Sequence, residues 1–290
     1  MLKQTDNRSH QRKVSTKTKS NAFVYIVVVL LTSLAIYAFN FLTKPEVAGV
    51  KIEKINEQTN TILEESESMK ESSNEKWWLN SGGRVFFDGR LIETIQGELP
   101  LGDKWRREYE SSNPLDTDNG HYPQNIFRLV TTSKWQNFTQ QVYFKVTNDN
   151  LSKSPNRGRW SGVFLLNRYL NGNNLYYTGV RVDGAAVIKK KIGGIYYTLA
   201  YKKIFPGVYN RTSSPNLLPH NEWLGLKGET SDLSDGKVGI RLFMKEIGTE
   251  WRNVLTATDS GTLIRNAGYG GIRTDFMDVE FDDYRIEEIK

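Results

Sequence analysis

The chain contains no cysteine, and only three histidines, eight prolines and four methionines occur in its 290 residues. Without thiols there is no disulfide framework, no cysteine nucleophile and no thiolate metal site, so a folded portion must hold itself together by its core. Histidine chemistry is equally thin. His10 lies in a basic amino terminus, while His121 and His220 sit far apart in loops with proline (His121-Tyr122-Pro123 and Pro219-His220-Asn221). Such a pair gives little support to zinc catalysis. Charge of one sign is also scarce: the net charge of +6 is concentrated in the first 21 residues, and the part from Trp77 onward carries about +4. That excludes a dedicated nucleic-acid surface, although a modestly basic face suits an acidic polysaccharide.

Long hydrophobic runs are absent but for one. Residues 22–42, AFVYIVVVLLTSLAIYAFNFL, carry no charge, and as a helix they would extend roughly 31 Å, the thickness of a bilayer core. Lys3, Arg8, Arg12, Lys13, Lys17 and Lys19 precede the run against Asp6 alone, whereas an acid-rich stretch follows it. The positive-inside rule then predicts a single-pass protein of the cell membrane, with residues 1–21 cytoplasmic and residues 43–290 extracellular. The run is too long for the apolar core of a cleaved signal peptide. Aromatic residues near both ends (Phe23, Tyr25, Tyr37, Phe39, Phe41) suit the two interfaces.

Residues 43–76 hold five Lys against eight Glu and little to bury, which predicts an acidic stalk or linker. Ile52, Ile55, Thr59, Ile62, Ser66 and Met69 fall three and four residues apart. This is a short, partly polar heptad seam, so a weakly self-associating helix stands beside a solvated spacer.

All seven tryptophans lie beyond residue 76, and there the texture changes. Short runs rich in Val, Ile, Tyr, Phe and Thr alternate with Gly, Asn, Asp and Pro. Strands are expected over 84–87, 126–131, 137–146, 162–169, 175–182, 186–191, 196–201, 223–229, 237–245, 253–257, 269–274 and 279–287. Asn171-Gly172, Asp183-Gly184, Gly193-Gly194 and Asp235-Gly236 have the chemistry of hairpin corners. The pattern predicts one all-β domain over 77–290. Parity assigns Tyr176, Thr178, Val180 and Val182 to one face of their strand and Tyr177, Gly179 and Arg181 to the other, a plausible groove floor. In the last strand Val279 and Phe281 share a face before Tyr284 and Ile286 take it over, which predicts a bulge at Asp282-Asp283.

The succession WSGVFLLNRY (160–169), NNLYYTGVRVDG (173–184), KKKIGGIYYTLA (189–200), NEWLGLKGE (221–229), KVGIRLFMKE (237–246) and GYGGIRTDFMDVEFDDYRI (268–286) resembles the concanavalin A-like lectin/glucanase superfamily. These are two-sheet jelly rolls that include laminin-G-like modules, and the resemblance implies a sandwich that binds glycans on one sheet. The Glu-x-Asp-x-x-Glu strand of the glucanase members is absent. The nearest cluster is Asp278-x-Glu280-x-Asp282-Asp283, in the closing strand. YKKIFPGVYNR (201–211) is only superficially similar to the Tyr-Phe-Lys-x-Gly-x-Tyr-x-Gln motif of jelly-roll alginate lyases, because Arg211 replaces the glutamine and Pro206 interrupts it.

Sugar rings pack on aromatic faces while Arg, Asn and Asp bond their hydroxyls. The carbohydrate-binding candidates are therefore Arg168, Tyr177 and Arg181, with Lys189, Lys191 and Tyr196 on the next hairpin. The alternatives are core packing for the aromatic residues and a solvated face for the lysines. Glu280, Asp282 and Asp283 offer hard oxygen ligands for a structural calcium, or else simply solvate the last strand; no cofactor is required. The expected protein presents a jelly roll that recognises a polysaccharide or glycoconjugate. A tethered polysaccharide lyase or glycoside hydrolase, and a structural envelope module that contacts protein, stand as alternatives.

Overall fold

From Trp77 onward the alternation in the sequence becomes strand after strand. A computed structural model describes residues 52–54 and 58–289, and side chains from Thr61. The strands are β1 (Ile52–Lys54), β2 (Gln58–Glu64), β3 (Trp77–Ser81), β4 (Arg84–Gly89), β5 (Leu91–Thr94), β6 (Arg128–Trp135), β7 (Phe138–Asp149) and β8 (Gly162–Asn171). They continue with β9 (Asn174–Arg181), β10 (Ala185–Ile192), β11 (Ile195–Lys203), β12 (Leu224–Asp232), β13 (Val238–Glu246), β14 (Arg252–Asp259), β15 (Gly268–Thr274) and β16 (Met277–Glu288). One sheet runs β14-β13-β12-β7-β16-β5-β4-β2, with β1 also on β16; the other runs β11-β10-β9-β8-β15-β6-β3. Every named strand pair is antiparallel. The described residues form an all-β, two-sheet sandwich.

The two sheets close over one apolar core. On β7, Phe138, Val142, Phe144 and Val146 point in at 0% exposure, in the strict alternation of a strand with one wet face. Leu165, Tyr176, Val180, Ala186, Ile188 and Ile272 meet them from the second sheet. Two polar struts cross this core, each fully bonded, as burial demands. In the first, Gln140 on β7 donates to the Asn167 side chain on β8 (2.8 Å) and accepts from the Tyr284 hydroxyl (2.7 Å). In the second, the Lys190 ammonium on β10 lies 2.7 and 2.9 Å from the two Asp259 carboxylate oxygens, and the Tyr176 hydroxyl donates to the same carboxylate at 2.7 Å.

The seven-stranded sheet is buried on its outer face as well. Phe164, Leu166, Tyr169, Leu175, Tyr177 and Val187 form a second apolar cluster there, so β8 and β9 read as nearly continuous buried runs. The helix α1 (Lys104–Ser112) was not anticipated. Asp103 caps it by accepting from the Trp105 amide at 2.8 Å, and Trp105 and Tyr109 pack with Ile95 and Leu99.

The four hairpin corners occur where the turn residues placed them, between β8 and β9, β9 and β10, β10 and β11, and β12 and β13. Gly193 and Gly194 have φ of 54° and 84°, the left-handed pair that a tight two-residue corner needs. The bulge in β16 is also present: the register slips between Asp282 and Arg285, Asp283 has φ 52°, and Val279, Phe281, Tyr284 and Ile286 are all buried.

Within the acidic segment 43–76 the described residues include strands. From Ile52 the segment contributes β1 against β16, then β2 against β4. Leu63 is buried and its neighbour Ile62 is 55% exposed, a period of two rather than a heptad. Strand pairing satisfies the backbone of a segment with few apolar residues, which the heptad reading could not foresee. Among the described residues no helix is long and apolar enough to cross a membrane, and the apolar run 22–42 lies outside the described residues.

Candidate functional site

The outer face of the seven-stranded sheet carries a cleft of about 510 Å³. Its floor comes from the parity of consecutive strands. Phe164 on β8 and Tyr177 on β9 meet edge to face at 5.3 Å, and Tyr177 meets Tyr196 on β11 edge to face at 6.3 Å. Gly179 lets these rings approach, since a Cβ there would lie 2.1 Å from the Val163 carbonyl oxygen and 2.9 Å from the Phe164 ring. The β10–β11 register sets Lys191 opposite Tyr196, and the ammonium groups of Lys191 and Lys189 lie 4.7 and 5.4 Å from that ring's centre. On β15, Arg273 stands outward between the buried Ile272 and Thr274, and its guanidinium pairs with Asp275 at 2.8 Å.

Loops build the wall. Trp160 is 54% exposed, and its indole N–H donates to the Asn156 carbonyl at 2.9 Å. The Asn156 amide donates in turn to Asp116 (2.9 Å), as does the Ser154 hydroxyl (2.6 Å). Ile126, Ser161 and Phe276 complete the lining.

Electrostatically the floor is positive. Burial lowers the Lys189 pKa, and the charges of Arg181 and Arg273 push it the same way. Burial would raise the Tyr196 phenol, but Arg273 and Lys191 outweigh it and hold the phenol below its ordinary value. Burial raises Tyr177, and it raises Asp275 despite the opposing Arg273. Burial works against the Arg273 charge as well, yet Asp275, Tyr196 and Tyr177 together keep its pKa above the ordinary arginine value.

Of the six candidates read from the sequence, Tyr177, Lys189 and Tyr196 line the cleft. Lys191 borders it, donating to the Gly172 carbonyl at 2.8 Å. Arg181 lies to one side, bound to Asp183 (2.6 Å) and the Arg159 carbonyl (3.0 Å). Arg168 is a correction. It is 0% exposed, reaching the Gln136 and Ile264 carbonyls and Asp232, each at 2.9 Å. A register slip between Asn167 and Asn171, with Arg168 at φ 48°, breaks the alternation that would have turned it outward.

The three acids considered for calcium do not converge. Glu280 pairs with Lys145 at 2.6 Å, Asp282 lies 3.5 Å from Arg90, and Asp283 accepts from its own neighbour Arg285. Among the described residues no group of three or more His, Asp or Glu side chains is placed to hold a metal. Each carboxylate has instead drawn a cation, from the adjacent strand, from a turn and from its own strand respectively. His121 and His220 pair separately, with Glu98 (2.7 Å) and Asp149 (3.1 Å).

Sequence reasoning missed Phe164, Arg273, Asp275, Trp160, Asn156 and Asp116. The first two carry a usable signal, because each alternates with inward residues on its strand. The loop residues carry none, since Asp116 and Asn156 meet only through tertiary folding.

No family model matches the chain, and no curated protein matches it. Solved structures give remote likenesses. The carbohydrate-binding module CBM66 from Bacillus subtilis is 13% identical with a TM-score of 0.40, over 73% of this chain and 91% of that one. The exoplasmic/lumenal domain of VIP36, in its form bound to calcium and Man3GlcNAc, is 9% identical with a TM-score of 0.44, over 79% and 88%. A mutant of the GH43 protein BlXynB from Bacillus licheniformis is 12% identical with a TM-score of 0.39, over 70% and 33%. The two-sheet architecture of this chain rests on its own strand pairing.

Proposed function

We propose that this chain is a carbohydrate-binding protein of the concanavalin A-like type and that the cleft on the seven-stranded sheet is its sugar site. One observation carries the reading: two large aromatic rings, Trp160 and Tyr196, stay about half exposed in a cleft that also offers Asn156, Asp116, Lys189 and Arg273. An exposed ring in a polar cleft is a stacking platform for the apolar face of a pyranose, and the flanking donors and acceptors fit its hydroxyls. Residues 22–42 supply a membrane anchor in this reading, supported by their length, their lack of charge and the basic tail before them. A domain held at a cell surface meets wall-bound or immobile glycans.

The test is retention of the full chain on a panel of immobilised polysaccharides. Wild type should be retained by at least one, and Trp160→Ala and Tyr196→Ala should each weaken that retention about tenfold or more while leaving the unfolding midpoint nearly unchanged. Undiminished binding in both variants sinks the site assignment. Protease accessibility of the sandwich on intact cells tests the anchored topology, and protection from added protease refutes it.

A lyase reading has one observation behind it. Tyr196 has its phenol held low beside Arg273, the pairing of base and anion-neutralising cation that β-elimination from a uronate needs. Unsaturated sugar ends accumulating with wild type but not with Tyr196→Phe would establish it.

A further inference from the structure

The balance of charge in the cleft says more than its shape. Its carboxylates are already spoken for: Asp275 by Arg273, and Asp116 by the Ser154 hydroxyl and the Asn156 amide. Just outside, Asp183 is held by Arg181. Lys189 is different. Among the described ion pairs none includes it or Lys191, although both ammonium groups stand over the Tyr196 ring. The cleft therefore has two polarities. Unneutralised cations gather on the sheet floor by Tyr196, and hydrogen-bonded acceptors gather on the loop wall by Asp116 and Asn156.

A neutral sugar would leave Lys189 and Lys191 without a counter-charge. We propose that the cleft takes an acidic glycan, with the anionic substituent of one sugar seated beside Lys189, Lys191 and Arg273 and the ring laid against Tyr196. This rests on the carbohydrate reading and narrows it. A carboxylate or a sulfate would satisfy the same chemistry: both are compact oxyanions that accept charge-assisted bonds from ammonium and guanidinium groups. The polarity also orients the ligand, since its neutral hydroxyls then face the acceptors of the wall. Burial and the neighbouring charges of Arg181 and Arg273 both disfavour the Lys189 cation, and an arriving anion supplies the counter-charge it lacks.

The experiment measures binding of the full chain to three probes at about 0.15 M salt, where loose surface attraction is screened. The probes are polygalacturonate (carboxylate), dextran sulfate (sulfate) and unmodified dextran (neutral). Two variants separate a site from general positive charge: Lys189→Met, and Lys245→Met, which removes the same charge beside Trp251 on the other sheet. The expected result is binding to one or both acidic probes that falls about tenfold in Lys189→Met and stays near wild type in Lys245→Met. Binding confined to polygalacturonate assigns a uronate, and binding confined to dextran sulfate assigns a sulfated sugar. Binding to dextran that equals binding to the acidic probes overturns the anion assignment and leaves the sugar site standing. Equal weakening in the two variants also overturns it, as attraction to net charge alone. No retention on these probes or on any glycan of the wider panel overturns both readings.

Discussion

Three consecutive lysines on β10 live in two different environments. Lys189 and Lys191 stand over the Tyr196 ring at the outer cleft, whereas Lys190 between them points into the sandwich and is closed on Asp259 and the Thr262 carbonyl, with the Tyr176 hydroxyl donating to the same carboxylate. Nothing in residue type distinguishes them; the period of two does. The inner lysine is satisfied by the fold itself, and the outer two, without a carboxylate partner among the described residues, are left with capacity for a ligand. The inner lysine should therefore govern stability, and the outer pair should govern binding.

The largest expected effect breaks the inner pair. The side chains of Lys190 and Asp259 are only 6% and 4% exposed, so removing one strands the other in an apolar core, which costs about 3–5 kcal/mol. Lys190→Met should lower stability by that order in urea unfolding. The double variant Lys190→Met, Asp259→Leu should recover much of the loss, since a well-packed apolar pair is often as stable as a buried ion pair. If the single variant loses under about 1 kcal/mol, the strut is not the closed pair described.

Arg168 extends the comparison, because it carries a cation inward where a sugar contact was expected. Its guanidinium satisfies two loop carbonyls and Asp232, so Arg168→Met leaves buried acceptors unpaired and should cost about 2–4 kcal/mol. Glycan affinity, measured where the variant is still folded, should stay near wild type. A selective loss of affinity without loss of stability would return Arg168 to the binding site.

On the outer face the order reverses. Trp160→Ala removes a ring that is half in solvent, so stability should change by less than about 1 kcal/mol while binding falls about tenfold. Calorimetric titration beside an unfolding curve checks both at once. A variant that binds normally would leave Tyr196 as the sole platform.

These contrasts also show what was legible in the sequence. Hairpin corners and hydrophobic parity were, because turn chemistry and a period of two act over a few residues. Tyr177 was placed on the floor and Tyr176 on the opposite face by that rule alone, and Tyr176 packs in the core. Arg168 was misplaced because one extra residue in β8 resets parity, and a bulge leaves no mark in the sequence. The segment 52–64 was misread because β1 and β2 are additions whose partners, β16 and β4, lie far along the chain or beyond β3, a strand of the other sheet. The acids Glu280, Asp282 and Asp283 had the composition of a calcium site, but composition cannot reveal that Lys145, Arg90 and Arg285 would reach them first.

The smallest expected effect lies at the sandwich rim, where a cation and a carboxylate meet in half-solvated surroundings. His220 is 3.1 Å from Asp149, with side chains 34% and 21% exposed. The hydrogen bond to Asp149 raises the His220 pKa above its ordinary value of 6.5, against a smaller opposing effect of burial. A histidine whose folded pKa lies above its unfolded one stabilises the fold fully below the unfolded value. It loses that contribution as pH rises through the folded value. The urea midpoint of the wild type should therefore decline modestly between about pH 6 and pH 8, with solvent screening keeping the change well below that of the Lys190 variants. Asp149→Asn removes the charge and should flatten that decline, and the imidazole titration followed by NMR should move back toward the ordinary histidine value. An unchanged titration in Asp149→Asn would mean that solvent already screens the rim pair, placing it at the far end of a scale whose other end is Lys190 and Asp259.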